Sequence, residues 1–153
     1  MRESGQLYAS DFRIGDRFEG AASEVTEHML RQFAEMTGDA HPIHYDEEYA
    51  RSTRFGARVA HGLMLMSLTA LGATRLSERL EDSMVALAEQ GCRFFKPVFL
   101  GDQLRSAFDV EDVVLKPAKN IGVVRFCVTL TNGSGDVVLE GHHVYLLRDK
   151  KPA

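Results

Sequence analysis

The sequence contains no tryptophan, and its 153 residues include only two cysteines and four prolines. Cys92 and Cys127 lie far apart, in neither a Cys-x-x-Cys nor a Cys/His metal spacing, so neither a structural zinc site nor a disulfide framework organises the chain. Both read as small, reduced apolar residues within strands, which fits a reducing, cytoplasmic compartment. A basic excess is missing as well: 18 Lys and Arg against 22 Asp and Glu leave a formal charge of −4, which argues against an electrostatic grip on nucleic acid. No apolar run reaches the roughly 20 residues needed to span a bilayer. The longest, Val59 to Ala73, is interrupted by His61, Gly62, Ser67 and Thr69. The opening MRESGQLYASDFRIGD places charges where a signal peptide needs an apolar stretch, so no membrane association is expected. Repeats, low-complexity tracts and Pro/Gly/Ser linkers are also lacking, and a hydrophobic share of 44% predicts one domain over residues 1–153.

What is present divides by periodicity. After a short strand near Arg17 to Ala21, Thr26 is placed to cap a helix whose Met29, Leu30, Phe33 and Ala34 fall at helical spacing, and Gly38 to end it. Asp46 caps a second, short helix that brings Tyr49 and Ala50 inward. A third is expected from about Ala60 to Leu80, apolar on every side over its first turns and therefore surrounded by protein. From Met84 the period becomes two: Leu104, Phe108 and Val110 alternate with Arg105, Ala107, Asp109 and Glu111, and Val124, Phe126, Val128 and Leu130 with Arg125, Cys127 and Thr129. Residues 116–120 mark a turn, and Asn132 to Gly135 a hairpin loop leading into a last strand, Val137 to Leu147. Long antiparallel strands and one buried helix pack most simply as a sheet curled around the helix, an α+β architecture. The sheet edges left over suggest pairing with a second copy, hence a homodimer or higher homo-oligomer.

Unusual residues concentrate in two segments, GDAHPIHYD from Gly38 and FGARVAHGLML from Phe55. Asp39 and His44 stand five apart across Pro42, which disfavours a continuous helix and sets both side chains on one turn. A carboxylate beside an imidazole can hold water and move protons near neutral pH, although an Asp after a helix-ending Gly is more often simple turn chemistry. His61 and Gly62 open the third helix, where backbone N–H groups lack intrahelical partners. A carbonyl can approach the Gly62 N–H closely, which suits an oxyanion. Plain readings compete here: close packing for Gly62, and a satisfied buried histidine for His61.

The stretch GDAHPIHYDEEYARSTRFGARVAHGLM resembles the signature of the MaoC-like hydratase/dehydratase family, of the (R)-specific enoyl-CoA hydratase type: Gly-Asp-x-Asn-Pro-Ile/Leu-His-x-Asp, then Phe-Gly, then Ala-His-Gly-Met/Leu. The likeness extends from DFRIGDRF at Asp11, through KPVFLGD at Lys96, to the last strand. It implies the hot-dog fold, a curved antiparallel sheet wrapped around a long central helix, usually homodimeric. It also implies reversible hydration of a 2-enoyl-CoA, or dehydration of a 3-hydroxyacyl-CoA, with a CoA or acyl-carrier-protein thioester as substrate. No metal or redox cofactor is expected, and coenzyme A enters only with the substrate. By the same resemblance Asp39 and His44 hold and activate water, Gly62 donates to the thioester oxygen, and Phe55, Gly56, His61 and Ser67 lie beside the substrate. Which of Asp39 and His44 is base and which acid stays open, because a coupled pair titrates as a unit.

Two positions depart from the pattern. His41 stands where the family has Asn, and Ala70 aligns with a serine that supports the pair in some relatives. Arg54, Arg58, Arg93 and Lys96 are candidates to meet the phosphates of coenzyme A, against the plain reading of solvated surface. Met64, Met66, Leu68 and Leu71 form a stripe that reads as core or as the wall of an acyl tunnel. Two other functions compete with hydration: an acyl-CoA thioesterase on the same fold, and a catalytically silent acyl-binding subunit.

Overall fold

A computed structural model describes residues 5–150; the first four residues of the charged opening, and the last three of the chain, lie outside the described residues. Helix α1 (Glu27–Thr37) starts where Thr26 Oγ1 accepts the Met29 N–H at 3.3 Å, buries Leu30 and Phe33, and stops at Gly38. Gly38 has φ 78° and returns its N–H to the Ala34 carbonyl, a left-handed conformation in which glycine avoids a Cβ clash. Helix α2 (Glu47–Ser52) is capped by Asp46 as expected and buries Ala50, but Tyr49 stays 41% exposed rather than turning inward.

The expected long central helix is broken. Helix α3 covers only Gly62–Ser67, a 3₁₀ turn follows at Leu71–Ala73, and α4 is the single turn Leu76–Arg79. The cause lies in the hydroxyls that interrupt the apolar run: Ser67 Oγ donates to the Met64 carbonyl and Thr69 Oγ1 to the Met66 carbonyl, both at 2.6 Å. The N–H groups of Thr69 and Ala70 meanwhile bond three residues back. Local side-chain bonds of this kind compete with the α-helical ladder and tighten its last turn, and Ala70 then leaves helical geometry with ψ 155°. Protein does not surround α3 on every side either, since Leu63 is 62% exposed.

Six strands form one antiparallel sheet: β1 (Arg17–Glu19), β2 (Ser23–Glu24), β3 (Met84–Phe94), β4 (Gln103–Lys116), β5 (Ile121–Asn132) and β6 (Val137–Arg148). The order is β1-β4-β5-β6-β3, with β2 also on β4, which leaves β3 as an edge. Strand β5 carries the cleanest two-residue period, with Val124, Phe126, Val128 and Leu130 all buried. In β4 the alternation fails at Ala107, buried between Glu19 of β1 and Thr129 of β5 rather than facing solvent. Asn132 closes the β5–β6 loop by accepting the N–H groups of Ser134 and Asp136 at 3.0 Å. Gly20 is required by packing: a Cβ there would lie 1.8 Å from the Ala73 carbonyl oxygen. Among the described residues, no helix is long and apolar enough to cross a membrane.

Beneath the break after α3 lies a buried polar group. Thr69 Oγ1 donates to Met66 and therefore accepts from His143 Nε2 at 3.3 Å, while the Tyr145 hydroxyl donates to His143 Nδ1 at 3.0 Å. Burial, with a smaller push from the charge of His142, lowers the His143 pKa from 6.5 to about 4. The unfolded chain takes up this proton from pH 6.5 downward and the folded one only near 4, so the stability is complete above pH 6.5 and is lost as pH falls to about 4. The loss attributable to His143 is about 3 kcal/mol. Urea unfolding of wild type and His143→Gln at pH 7.5 and pH 4.5 checks this: the gap between them should narrow in acid by that amount, and an unchanged gap refutes it.

Candidate functional site

The turn after α1 places Asp39 and His44. Asp39 is exposed, and its Oδ1 accepts the His41 N–H at 3.3 Å. Pro42–His44 forms a 3₁₀ turn whose start is held by the His41 side chain, Nδ1 accepting the Ile43 N–H at 3.2 Å. The His44 Nδ1 lies 2.7 Å from the Val59 carbonyl oxygen. A carbonyl only accepts, so Nδ1 carries the hydrogen, and the neutral ring keeps its lone pair on Nε2. The His44 carbonyl is itself held by Arg58 Nε at 2.7 Å.

His61, on the second segment, is buried and stacks on His44 with ring centroids 3.8 Å apart and planes 29° from parallel. Tyr45 explains its tautomer. The Tyr45 hydroxyl donates to the Leu30 carbonyl at 2.8 Å, so it accepts from His61 Nε2 at 2.9 Å, and the Asp39 carbonyl shares that hydrogen at 3.1 Å. Burial lowers the His61 pKa and outweighs the hydrogen bond to the Asp39 carbonyl, which raises it. This favours the neutral ring, whose Nδ1 is buried and without a hydrogen-bond partner. Burial and the charge of Asp39 raise the Tyr45 pKa, which keeps the phenol protonated.

Asp39, His44 and His61 each offer one atom within 4.8 Å of the others. Of the His61 ring nitrogens, Nε2 bonds to Tyr45 and Nδ1 has no hydrogen-bond partner. A span of this size suits a bridging water, which reaches two acceptors about 4.5 Å apart through bonds of about 2.8 Å.

Gly62 is the first residue of α3, directly after His61. A helix of six residues has little macrodipole, so what its start can offer a ligand is an N–H without an intrahelical partner rather than a field. A groove of about 280 Å³ adjoins it, lined by Phe55, Gly62, Leu65, Phe94, Arg54 and Lys96, among others. Arg54 lies over the Phe55 ring at 4.8 Å, and Lys96 pairs with Asp136 at 2.9 Å. The other two candidate cations are elsewhere. Arg58 is buried and spent on Glu27 at 2.6 Å, and Arg93 borders a different hollow with Glu140 and His142. Burial raises the Glu27 pKa, but bonds from Arg58 and Arg31 outweigh it and hold the carboxyl below its ordinary value.

Gly56 occupies a left-handed turn with φ 69°. Ser67 does not join the Asp39–His44 turn: its hydroxyl bonds to the Met64 carbonyl, and it borders a separate cavity of about 650 Å³ together with Leu68, Ala70 and Leu104. The site residues that sequence reasoning misses are Tyr45, Phe94 and the Val59 carbonyl. All three act through tertiary contact, and no local pattern marks them.

A curved antiparallel sheet with a short helix carrying the Gly62 end of the site is the hot-dog architecture. A conserved hypothetical protein of Mycobacterium tuberculosis with a double hotdog fold superposes with TM-score 0.78 at 20% identity, over 97% of this chain and 47% of that one. A monoamine oxidase regulatory protein from Archaeoglobus superposes with TM-score 0.88 at 29% identity, over 99% of this chain and all of the other. The chain belongs to the MaoC-like family, whose domain model, described as MaoC like domain, matches residues 11–132. Its relatives include a 3-hydroxybutyryl-CoA dehydratase from Methylorubrum extorquens, 31% identical over 96% of this chain and 88% of that protein. An (R)-specific enoyl-CoA hydratase from Rhodospirillum rubrum is 31% identical over 88% and 87% respectively.

Proposed function

We propose that the protein catalyses reversible hydration of a 2-enoyl thioester, on coenzyme A or an acyl-carrier protein, and that Asp39, His44 and Gly62 carry the reaction. The observation that supports this most is the pairing of an Asp39 carboxylate with a His44 ring whose Nε2 lone pair is left free by the Val59 contact. Both groups are acceptors, so a water between them donates one hydrogen to each and turns a lone pair outward. That lone pair attacks the β-carbon; the C=C π electrons move to the α-carbon and the thioester oxygen, and the pair takes a proton from the water. The Gly62 N–H stabilises the resulting enolate oxygen. Protonation of the α-carbon by the pair completes addition of H and OH and restores both groups. Neutral His61 supports the step by leaving His44 free to take a proton without a second charge stacked on it.

In this reading the thioester enters along the groove beside Gly62, with Phe55 as its wall and Arg54 and Lys96 positioned toward the phosphates. No metal or redox cofactor takes part. Edge strand β3, with exposed Val85, Leu87 and Phe94, suits pairing with a second copy, which would cover this apolar surface. The free cysteines fit a cytoplasmic setting.

The test follows enoyl-thioester absorbance on a panel of short, medium and branched 2-enoyl-CoA substrates and one 2-enoyl-acyl-carrier protein. Hydration is the expected result, with (R)-3-hydroxyacyl thioester as product. Release of free thiol from saturated acyl-CoA without hydration would move the assignment to a thioesterase, and binding without turnover to a silent subunit.

A further inference from the structure

Residue 41 touches both halves of the Asp39–His44 turn through three separate atoms. Its N–H donates to Asp39 Oδ1 at 3.3 Å, its carbonyl accepts the His44 N–H at 3.1 Å, and its side-chain Nδ1 accepts the Ile43 N–H at 3.2 Å. The first two bonds belong to the backbone, and any residue can make them. They hold their geometry only while residue 41 keeps φ −59° and ψ 133°, and the side-chain bond is what closes the peptide onto that conformation. The imidazole is oriented in turn by edge contacts, to His44 at 6.2 Å and to Tyr49 at 5.7 Å between ring centroids.

Resting on the hydratase reading, we infer that His41 is a positioning residue: its Nδ1 caps the turn and thereby sets the spacing of the Asp39 carboxylate and the His44 ring. This accounts for a histidine where the family pattern has asparagine. Asn Oδ1 and His Nδ1 lie equally far along their side chains, and both accept a hydrogen bond from a backbone N–H two residues on. The substitution preserves the capping acceptor while changing everything beyond it. His41 itself touches no reacting atom. Its effect should fall on the rate of the chemical step, which is sensitive to misplacements of about 1 Å, and not on substrate affinity.

The experiment compares wild type, His41→Ala and His41→Asn by two readouts. Amide hydrogen exchange at Ile43, followed by NMR in the absence of substrate, should speed up about tenfold or more in His41→Ala and return to the wild-type rate in His41→Asn. With the best thioester from the panel, kcat should drop about 10- to 100-fold in His41→Ala with KM changed less than about twofold, and His41→Asn should restore it. Unchanged Ile43 exchange in His41→Ala overturns the inference. So does a loss of kcat that asparagine does not rescue, because the ring would then act in some way other than as a cap. If wild type hydrates no thioester at all, the hydratase reading fails. The cap is then decided by Ile43 exchange together with the His44 Nδ1–H resonance, which should shift in His41→Ala alone.

Discussion

Asp39→Asn should lower kcat for enoyl-thioester hydration by about 10²- to 10⁴-fold, the range that a positioned acid or base supplies, while leaving the fold intact. The amide oxygen of asparagine still accepts the His41 N–H, and the side chain is exposed, so the turn loses a charge and a proton acceptor but no anchor. His44→Ala should cost at least as much in rate and also destabilise the protein. It removes the bond to the Val59 carbonyl and the stack that covers His61. A lost hydrogen bond of this kind is worth about 1 kcal/mol. Turnover measured beside urea midpoints separates the two effects. An Asp39→Asn protein hydrating within threefold of wild type would remove Asp39 from the mechanism.

The second large effect is expected at Gly62. Proline at the first position of a helix removes the N–H without disturbing the helical ladder, and His61, with ψ 133°, already has the extended backbone that a following proline requires. Gly62→Pro should therefore delete one oxyanion donor and cost about 10²- to 10³-fold in kcat. Gly62→Ala is the steric control: the nearest atoms its methyl would meet are at the end of the Phe94 ring, at 3.4 to 3.6 Å, and it retains the N–H. Near-normal turnover in the alanine variant with a collapse in the proline variant assigns the effect to the hydrogen. Equal loss in both would assign it to crowding against Phe94 and set the donor role aside.

Much of the local structure could be read from residue types because the decisive interactions lie within a few residues of each other. Thr26, Gly38 and Asp46 act on their own helix ends, and the burial of β5 follows from its alternation. The helix expected from Ala60 to Leu80 fails for a related reason. An apolar run predicts burial, but Ser67 and Thr69 turn back onto the carbonyls of Met64 and Met66, and that competition is invisible to hydropathy. Arg58 shows the limit from another side. A lone arginine near the motif reads as solvated surface or as a candidate phosphate contact, yet it is buried and committed to Glu27, 31 residues away, and to the His44 carbonyl. Asp39, His44 and His61 converge in space as their two segments suggest, whereas the Tyr45 bond that selects the His61 tautomer appears only once α1 packs against the turn.

That placement of Arg58 also governs how the protein comes apart. One buried guanidinium bridges the first turn of α1 and the backbone at His44. Melting of α1 takes away the Glu27 carboxylate and leaves the buried cation with the His44 carbonyl and the more distant Glu47, a costly exchange for a desolvated charge. The guanidinium thus links the stability of α1 to that of the Asp39–His44 turn, and Arg58→Met should loosen both, read as faster amide exchange in each.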